Sequence, residues 1–385
     1  ECNISFKNDK RKDKKTDYLM YLIRKSEWAR RIIMGIIREV FGHDSHGATV
    51  YSYTVTNDHG TRIRLIEMGA ALQSLEVADR DGNFADVVLG YDNVAQYETA
   101  NGENFGVVVG RNANRIKDAR FMIKGKEYKL AKNSGENNLH SGPDGYSSRR
   151  WESEIADNER GQAVRFSLVS PDGDQGMPGE LHVSVTYILT DDDSVILEYE
   201  GVAGDDTIVN LTNHSYFNLA GHASGTVYDQ KMWLAASEFT PSDASLIPTG
   251  EYRSVKGTPM DFTEPKAIGE DINADYEPLI IAGGYDHNFV LDNKGEVELA
   301  GSLYDEKSGR FMEVFTQMPG IQIYTGNFLS GKSRGKDDCY YEKRDGVCFE
   351  TQFFPDAVNN TAFESPVVQA GVPFDFVTAY RFSVK

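Results

Sequence analysis

The sequence predicts an all-β protein: one large antiparallel β-sandwich with a short, basic, part-helical extension at its N-terminus. Three observations carry that expectation. Apolar and polar residues alternate strictly in several short runs, turn-forming clusters separate those runs, and no long amphipathic helix follows residue 48. The clearest run is Leu181, Val183, Val185, Tyr187 and Leu189, with His182, Ser184 and Thr186 between them. The same alternation recurs in Val164, Phe166 and Leu168, and in Val195, Leu197 and Tyr199. The intervening clusters include Asp172-Gly173-Asp174, Asp191-Asp192-Asp193 and Asn293-Lys294-Gly295. A sandwich fits this pattern better than a propeller, because no repeat of short fixed period is present.

In chain order, the extension comes first. Residues 1–40 contain 11 Lys/Arg and 6 Asp/Glu, and they open on the run Lys10, Arg11, Lys12, Asp13, Lys14, Lys15. Helix-like spacing follows, with Tyr18, Leu22, Ala29, Ile33 and Ile36 on one face. Arg24, Lys25, Glu27, Arg30 and Arg31 interrupt any apolar signal core. The extension, residues 1–47, therefore reads as a peripheral segment rather than a membrane anchor or a cleaved signal. The β-sandwich is expected over 48–385.

Composition bounds the function. The chain has 385 residues, 40 Lys/Arg and 59 Asp/Glu, a formal net charge of −19. That charge argues against nucleic acid or an anionic membrane as the main partner. Nothing approaches the roughly 20 apolar residues that span a bilayer. Three cysteines (Cys2, Cys339, Cys348) are too few for a disulfide framework, which suits a reducing, cytoplasmic setting. Dinucleotide fingerprints, Walker loops, G-x-S-x-G and C-x-x-C are all missing from the sequence. No cofactor is expected. His43 and His46 have metal-like spacing but no supporting ligands, so no metal is expected either.

The chemistry then falls to His, Asp, Glu and Arg. Five histidines (His43, His46, His59, His182 and His222) read as solvated. His140, His214 and His287 sit in runs dense in Asn, Asp, Gly and aromatics. Such runs set hydrogen-bonding groups beside flat apolar faces, which suits a sugar; they read equally as structural turns. Glu350 lies in Val347-Cys348-Phe349-Glu350-Thr351-Gln352, where strand alternation puts Cys348, Glu350 and Gln352 on one face. So apolar a run implies a part-buried carboxyl with a raised pKa; the other reading is a solvated strand face.

At these runs the sequence resembles the aldose 1-epimerase (galactose mutarotase) family over residues 48–385. The similar segments are Phe105–Ile116, Asn138–Pro143, Thr212–Gly221, Gly284–Phe289, Pro319–Asn327 and Phe349–Asp356, in consistent order. Asn112 stands where a hydrophobic residue is usual, and Ser141 where Gly is common. The resemblance implies a galactose mutarotase-like β-supersandwich with an open cleft, acting on a free aldohexose. It implies Glu350 as general base, His214 as general acid and His140 as second active-site histidine. It further implies that Arg115, Asn114, Asp286 and Gln322 hold sugar hydroxyls. Two alternatives remain open: a non-catalytic carbohydrate binder on the same scaffold, and an epimerase of hexose phosphates. His287 reads as structural, Arg111 as a loop brace, Tyr324 and Phe217 as core or cleft wall, and Cys348 as a small buried hydrophobe.

Overall fold

The computed structural model describes residues 35–99 and 103–385. Three sheets dominate it, of nine, six and five strands. The nine-stranded sheet runs in the order Glu152–Ala156, Gly161–Ser170, Leu181–Thr190, Ser194–Ala203, Phe374–Val384, Arg310–Thr316, Glu298–Tyr304, Lys231–Leu234, Lys266–Ala267. Strict side-chain alternation along Leu181–Thr190 turns Leu181, Val183, Val185, Tyr187 and Leu189 into the interior. His182 stays exposed, but Ser184 and Thr186 are also covered. Part of that cover is the Arg165 side chain, which donates to Ser184 Oγ from the neighbouring strand.

The six-stranded sheet runs Tyr216–Phe217, Val347–Gln352, Gly320–Tyr324, Asp286–Val290, Glu238–Thr240, Arg253–Ser254. The five-stranded sheet is a meander from Ile36–His43 to Phe84–Asp86. All pairings within the three sheets are antiparallel. One apolar core joins them, drawing Tyr53 and Leu65 from the five-stranded sheet, Val185 and Leu197 from the nine-stranded, and Phe289, Ile321 and Phe349 from the six-stranded. Helices are minor: Val94–Thr99, Ile268–Asp271 and Glu277–Ala282 are the α-helices among the described residues. None is long and apolar enough to cross a membrane.

One boundary needs correction. The sequence pattern makes Ile36 the last apolar position of a helical face and starts the sandwich at residue 48. Instead Ile36–His43 is the first strand of the five-stranded sheet, paired with Thr49–Thr56. The run Ile36-Ile37-Arg38-Glu39-Val40-Phe41 is rich in β-branched residues, and Ile36 pairs with Val55 and is buried. Pairing with a neighbouring strand overrides a local helical period of this kind. The basic run and the helix-like spacing before Gly35 lie outside the described residues.

Candidate active site

A cavity of about 340 Å³ opens beside the six-stranded sheet, and all seven predicted site residues line it. They come from six segments separated in sequence. Asp286, Gln322 and Glu350 stand on adjacent strands, with Gln322 directly opposite Glu350. His214 lies between the short strands Thr212–Asn213 and Tyr216–Phe217. Asn114 and Arg115 lead into the strand Arg115–Ile116, which pairs with Asn138–Leu139; His140 follows immediately.

Glu350 and His214 face each other, with Glu350 Oε1 3.6 Å from His214 Nε2. Both are almost fully buried, 2% and 4% exposed. Burial dominates their titration. It pushes the Glu350 carboxyl well above the usual range, with nearby Asp286 adding to the rise and Arg115 opposing it. It pushes His214 down to about 4. The second ring nitrogen of His214, Nδ1, lies 3.6 Å from the buried Cys348 sulfur. Tyr216 lies along the imidazole face at 5.0 Å. Tyr324 meets it edge-on, and so does His140.

His140 is held differently. Its Nδ1 accepts the backbone N–H of Asn114 at 3.1 Å, and the His140 backbone N–H donates to Asn114 O at 3.1 Å. An imidazole whose Nδ1 is an acceptor carries its proton on Nε2, so His140 presents an N–H donor. Burial, then the charges of His214 and Arg115, hold its pKa well below 6.5. This tautomer bears on metal binding. His140, His214 and Glu350 bring ligand atoms within 4.8 Å of one another. A metal-bound histidine donates from its second nitrogen, whereas His140 Nδ1 receives a donor. The cluster therefore fits hydrogen bonding to a hydroxyl better than ligation.

Around these groups stand the side chains expected to hold sugar hydroxyls. Gln322 Nε2 donates to Asp286 Oδ1 at 2.6 Å, and burial raises the Asp286 pKa. Asn114, in a left-handed conformation (φ 63°), turns its Oδ1 back onto the Arg115 N–H and leaves Nδ2 for a ligand. Three buried polar atoms here lack a protein partner: Arg115 Nε, Gln322 Oε1 and Glu350 Oε2. Buried polar atoms left unpaired are rare and costly. One donor and two acceptors around a single cavity suit a ligand that both donates and accepts, as a hydroxyl does.

Several residues of the cavity were not singled out from sequence: Asn104, Asn133, Ser147 and Phe328. Phe328 is the most informative, being 64% exposed and stacked on Tyr324. Its position just beyond Gly326-Asn327 was the available signal. Conversely, several Asn residues of the polar runs brace turns. Asn213 joins Gly106 O to Ser215, and Asn218 joins Gly225 O, Asp345 O and Gln230. Arg111 donates to Pro178 O, Gly179 O and Ser170 Oγ, as a loop brace does. His287 is buried outside the cavity; its Nδ1 accepts the Asp286 N–H. His222 is not solvated as expected: it is half-buried, with Tyr341 Oη 2.9 Å from Nδ1 and Asp337 3.3 Å from Nε2.

The antiparallel sandwich and its polar cavity define a β-sandwich protein built to receive a small hydroxylated molecule. Known proteins make this specific. The family model for aldose 1-epimerase matches residues 51–381. Galactose mutarotase of Bos taurus is 42% identical over 353 residues, spanning 91% of this chain and 100% of that protein. The aldose 1-epimerase of Escherichia coli (strain K12) is 35% identical over 333 residues, 86% of this chain and 94% of its own. Among solved structures, an aldose epimerase homologue from C. elegans aligns with a TM-score of 0.78 at 30% identity, over 86% of this chain and 98% of that one. The chain belongs to the aldose 1-epimerase family.

Proposed function

We propose that this protein interconverts the α and β anomers of a free hexose, galactose or glucose, by acid–base ring opening and reclosure. The observation that carries the residue roles is the facing pair, Glu350 and His214, 3.6 Å apart in the cavity. A cyclic aldose opens when its C1 hydroxyl loses a proton while the ring oxygen gains one. Glu350 takes the first proton and His214 supplies the second. The C1–O5 bond breaks as the C1 carbonyl forms, C1–C2 rotates, and closure on the other carbonyl face returns both protons.

Burial suits this exchange. The pair shares one transferable proton, and carboxylate with imidazolium has the same net charge as carboxylic acid with imidazole. Moving the proton between them through the sugar therefore leaves the charge of the cavity unchanged, and little reorganisation is needed around it. His140 donates from Nε2 to the reacting oxygens, and Arg115 balances negative charge as it develops. Asp286, Gln322 and Asn114 hold the remaining hydroxyls. Arg115 is the only Lys or Arg among the described residues lining the cavity, which favours a neutral sugar over a hexose phosphate. A reducing, cytoplasmic setting fits the free thiols of Cys339 and Cys348.

Polarimetry tests the reading. Fresh α-D-galactose or α-D-glucose should reach its equilibrium rotation faster with the protein. Binding of either sugar without any acceleration would replace the enzyme with a carbohydrate binder.

A further inference from the structure

Ser141 and Asn112, the two departures from the family pattern, touch each other. Ser141 Oγ accepts the Asn112 N–H at 2.8 Å and donates to Asn112 O at 3.1 Å. Both residues are buried. The contact completes a ladder. Its first rungs are ordinary strand pairs, Ile116 with Asn138 and Arg115 with Leu139. The next is the exchange between Asn114 and His140. There the backbone ladder must end, because His140 and Ser141 are both left-handed (φ 54° and 56°) and the chain turns away. Through its side chain, the Ser141 hydroxyl supplies the last rung to the peptide groups of Asn112.

We propose that Ser141 is a positioning residue for the reaction: its hydroxyl clasps the 112–114 segment against the His140 turn and so keeps the Asn114 N–H on His140 Nδ1. The clasp fixes which nitrogen of His140 carries the proton. Without it, Asn112 keeps two buried peptide groups with no partner in this turn, and the segment shifts to find others. The Asn114 N–H then leaves Nδ1, the ring samples both tautomers, and the Nε2–H donor is present only part of the time. A glycine at 141 adopts the same backbone without strain, so the hydroxyl can be removed without forcing the turn to refold.

The proposal rests on the epimerase reading only for its kinetic arm. The test uses the full chain with 15N-labelled histidine, the His140 signals being assigned by their loss in His140→Gln. In wild type, the His140 nitrogen shifts should show a proton on Nε2 and a bare Nδ1. Ser141→Gly and Ser141→Ala should both move the two shifts toward each other. Both should lower kcat by roughly tenfold, as expected for a loosened reacting group, with KM held within about twofold. A proton on Nδ1 in wild type would overturn the proposal. So would an unchanged tautomer in both variants, or a loss in Ser141→Ala that Ser141→Gly does not share, since the backbone and not the hydroxyl would then do the positioning. If wild type fails to accelerate mutarotation, the enzyme reading fails, and the nitrogen shifts still decide on the clasp.

Discussion

Replacing Glu350 by Gln keeps the size and shape of the side chain and removes only its capacity to take a proton. Two effects follow, with opposite signs. The first is on rate. A positioned general base contributes about 10²- to 10⁴-fold, so Glu350→Gln should lose about 3–5 kcal/mol of transition-state stabilisation. KM should change far less, because the amide oxygen still accepts from a hydroxyl. The second effect is on stability. Glu350 is buried, its Oε2 has no partner, and burial raises its pKa well above 4.5. For a group whose folded pKa is raised, the native state holds its proton longer than the unfolded chain. Stability is then fully present below the unfolded pKa and declines as pH rises toward the folded one. The decline is at most about 1.4 kcal/mol per pH unit for one proton.

Glutamine has no such titration. The variant should therefore be as stable as wild type near pH 4 and more stable at pH 7 to 8, while nearly inactive at both. Polarimetry gives kcat and KM, and urea unfolding at several pH values gives the stability difference. Two results would refute the reasoning. One is retention of more than a tenth of the wild-type acceleration, which would remove Glu350 from the proton transfer. The other is a stability difference that does not vary with pH, which would mean that its carboxyl ionises normally in the native state.

Other outcomes follow from the same site. The acid limb of kcat/KM should fall near pH 4, where burial puts His214, and not near the ordinary histidine value of about 6.5; pH–rate measurements under subsaturating sugar decide it. Asp286→Asn should raise KM more than it lowers kcat, because Asp286 is held by Gln322 Nε2 on the hydroxyl-binding side of the cavity; Michaelis kinetics separate the two. His287→Asn, whose Oδ1 can still accept the Asp286 N–H, should make the variant's stability fall less steeply between about pH 6.5 and 4. His287 is buried with its pKa lowered to about 4, so the unfolded chain takes up a proton there that the native state refuses. Chemical denaturation across that window should show a slope smaller by about one proton.

The sandwich was legible because strand alternation is local. Leu181 to Leu189 announce one covered face without any knowledge of neighbours. The first strand was not legible, because Ile33 and Ile36 share a spacing with a helix, and only the pairing of Ile36 with Val55 settles the matter. Short motifs mark the seven candidate site residues, yet their convergence on one cavity is a property of register and connectivity. Nothing local distinguishes Asn114, which lines the cavity, from Asn213, which spends its amide on Gly106 and Ser215. The composition of such runs shows that hydrogen-bonding groups are concentrated there; the partners they find are set by strands far away in sequence. For the same reason the Ser141–Asn112 clasp was invisible, since each residue alone is an unremarked departure.

Register also explains where the proposed base, Glu350, stands. Tyr216 pairs with Cys348 and Phe217 with Val347. Two residues earlier the chain has left that pairing: the His214 backbone bonds Val107 O and the Gly106 N–H instead, and its ring reaches Glu350, which shares a sheet face with Gln322 on the next strand. The proposed base and the Gln322 amide thus stand side by side across the sheet, and the proposed acid closes on them from the flanking segment. A slip of one residue would turn Glu350 and Gln322 to the other face and expose the core, so their placement is protected by the whole apolar interior. His140 has no such protection. It sits beyond the end of a two-residue strand, in a left-handed turn, where no sheet fixes its ring. In the proposed mechanism the base is set rigidly by the sheet, and the donor His140 is set by a loop. Substitutions that alter catalysis while leaving the fold intact should therefore concentrate around His140, in segments 112–114 and 138–143, rather than along the strands that carry Glu350.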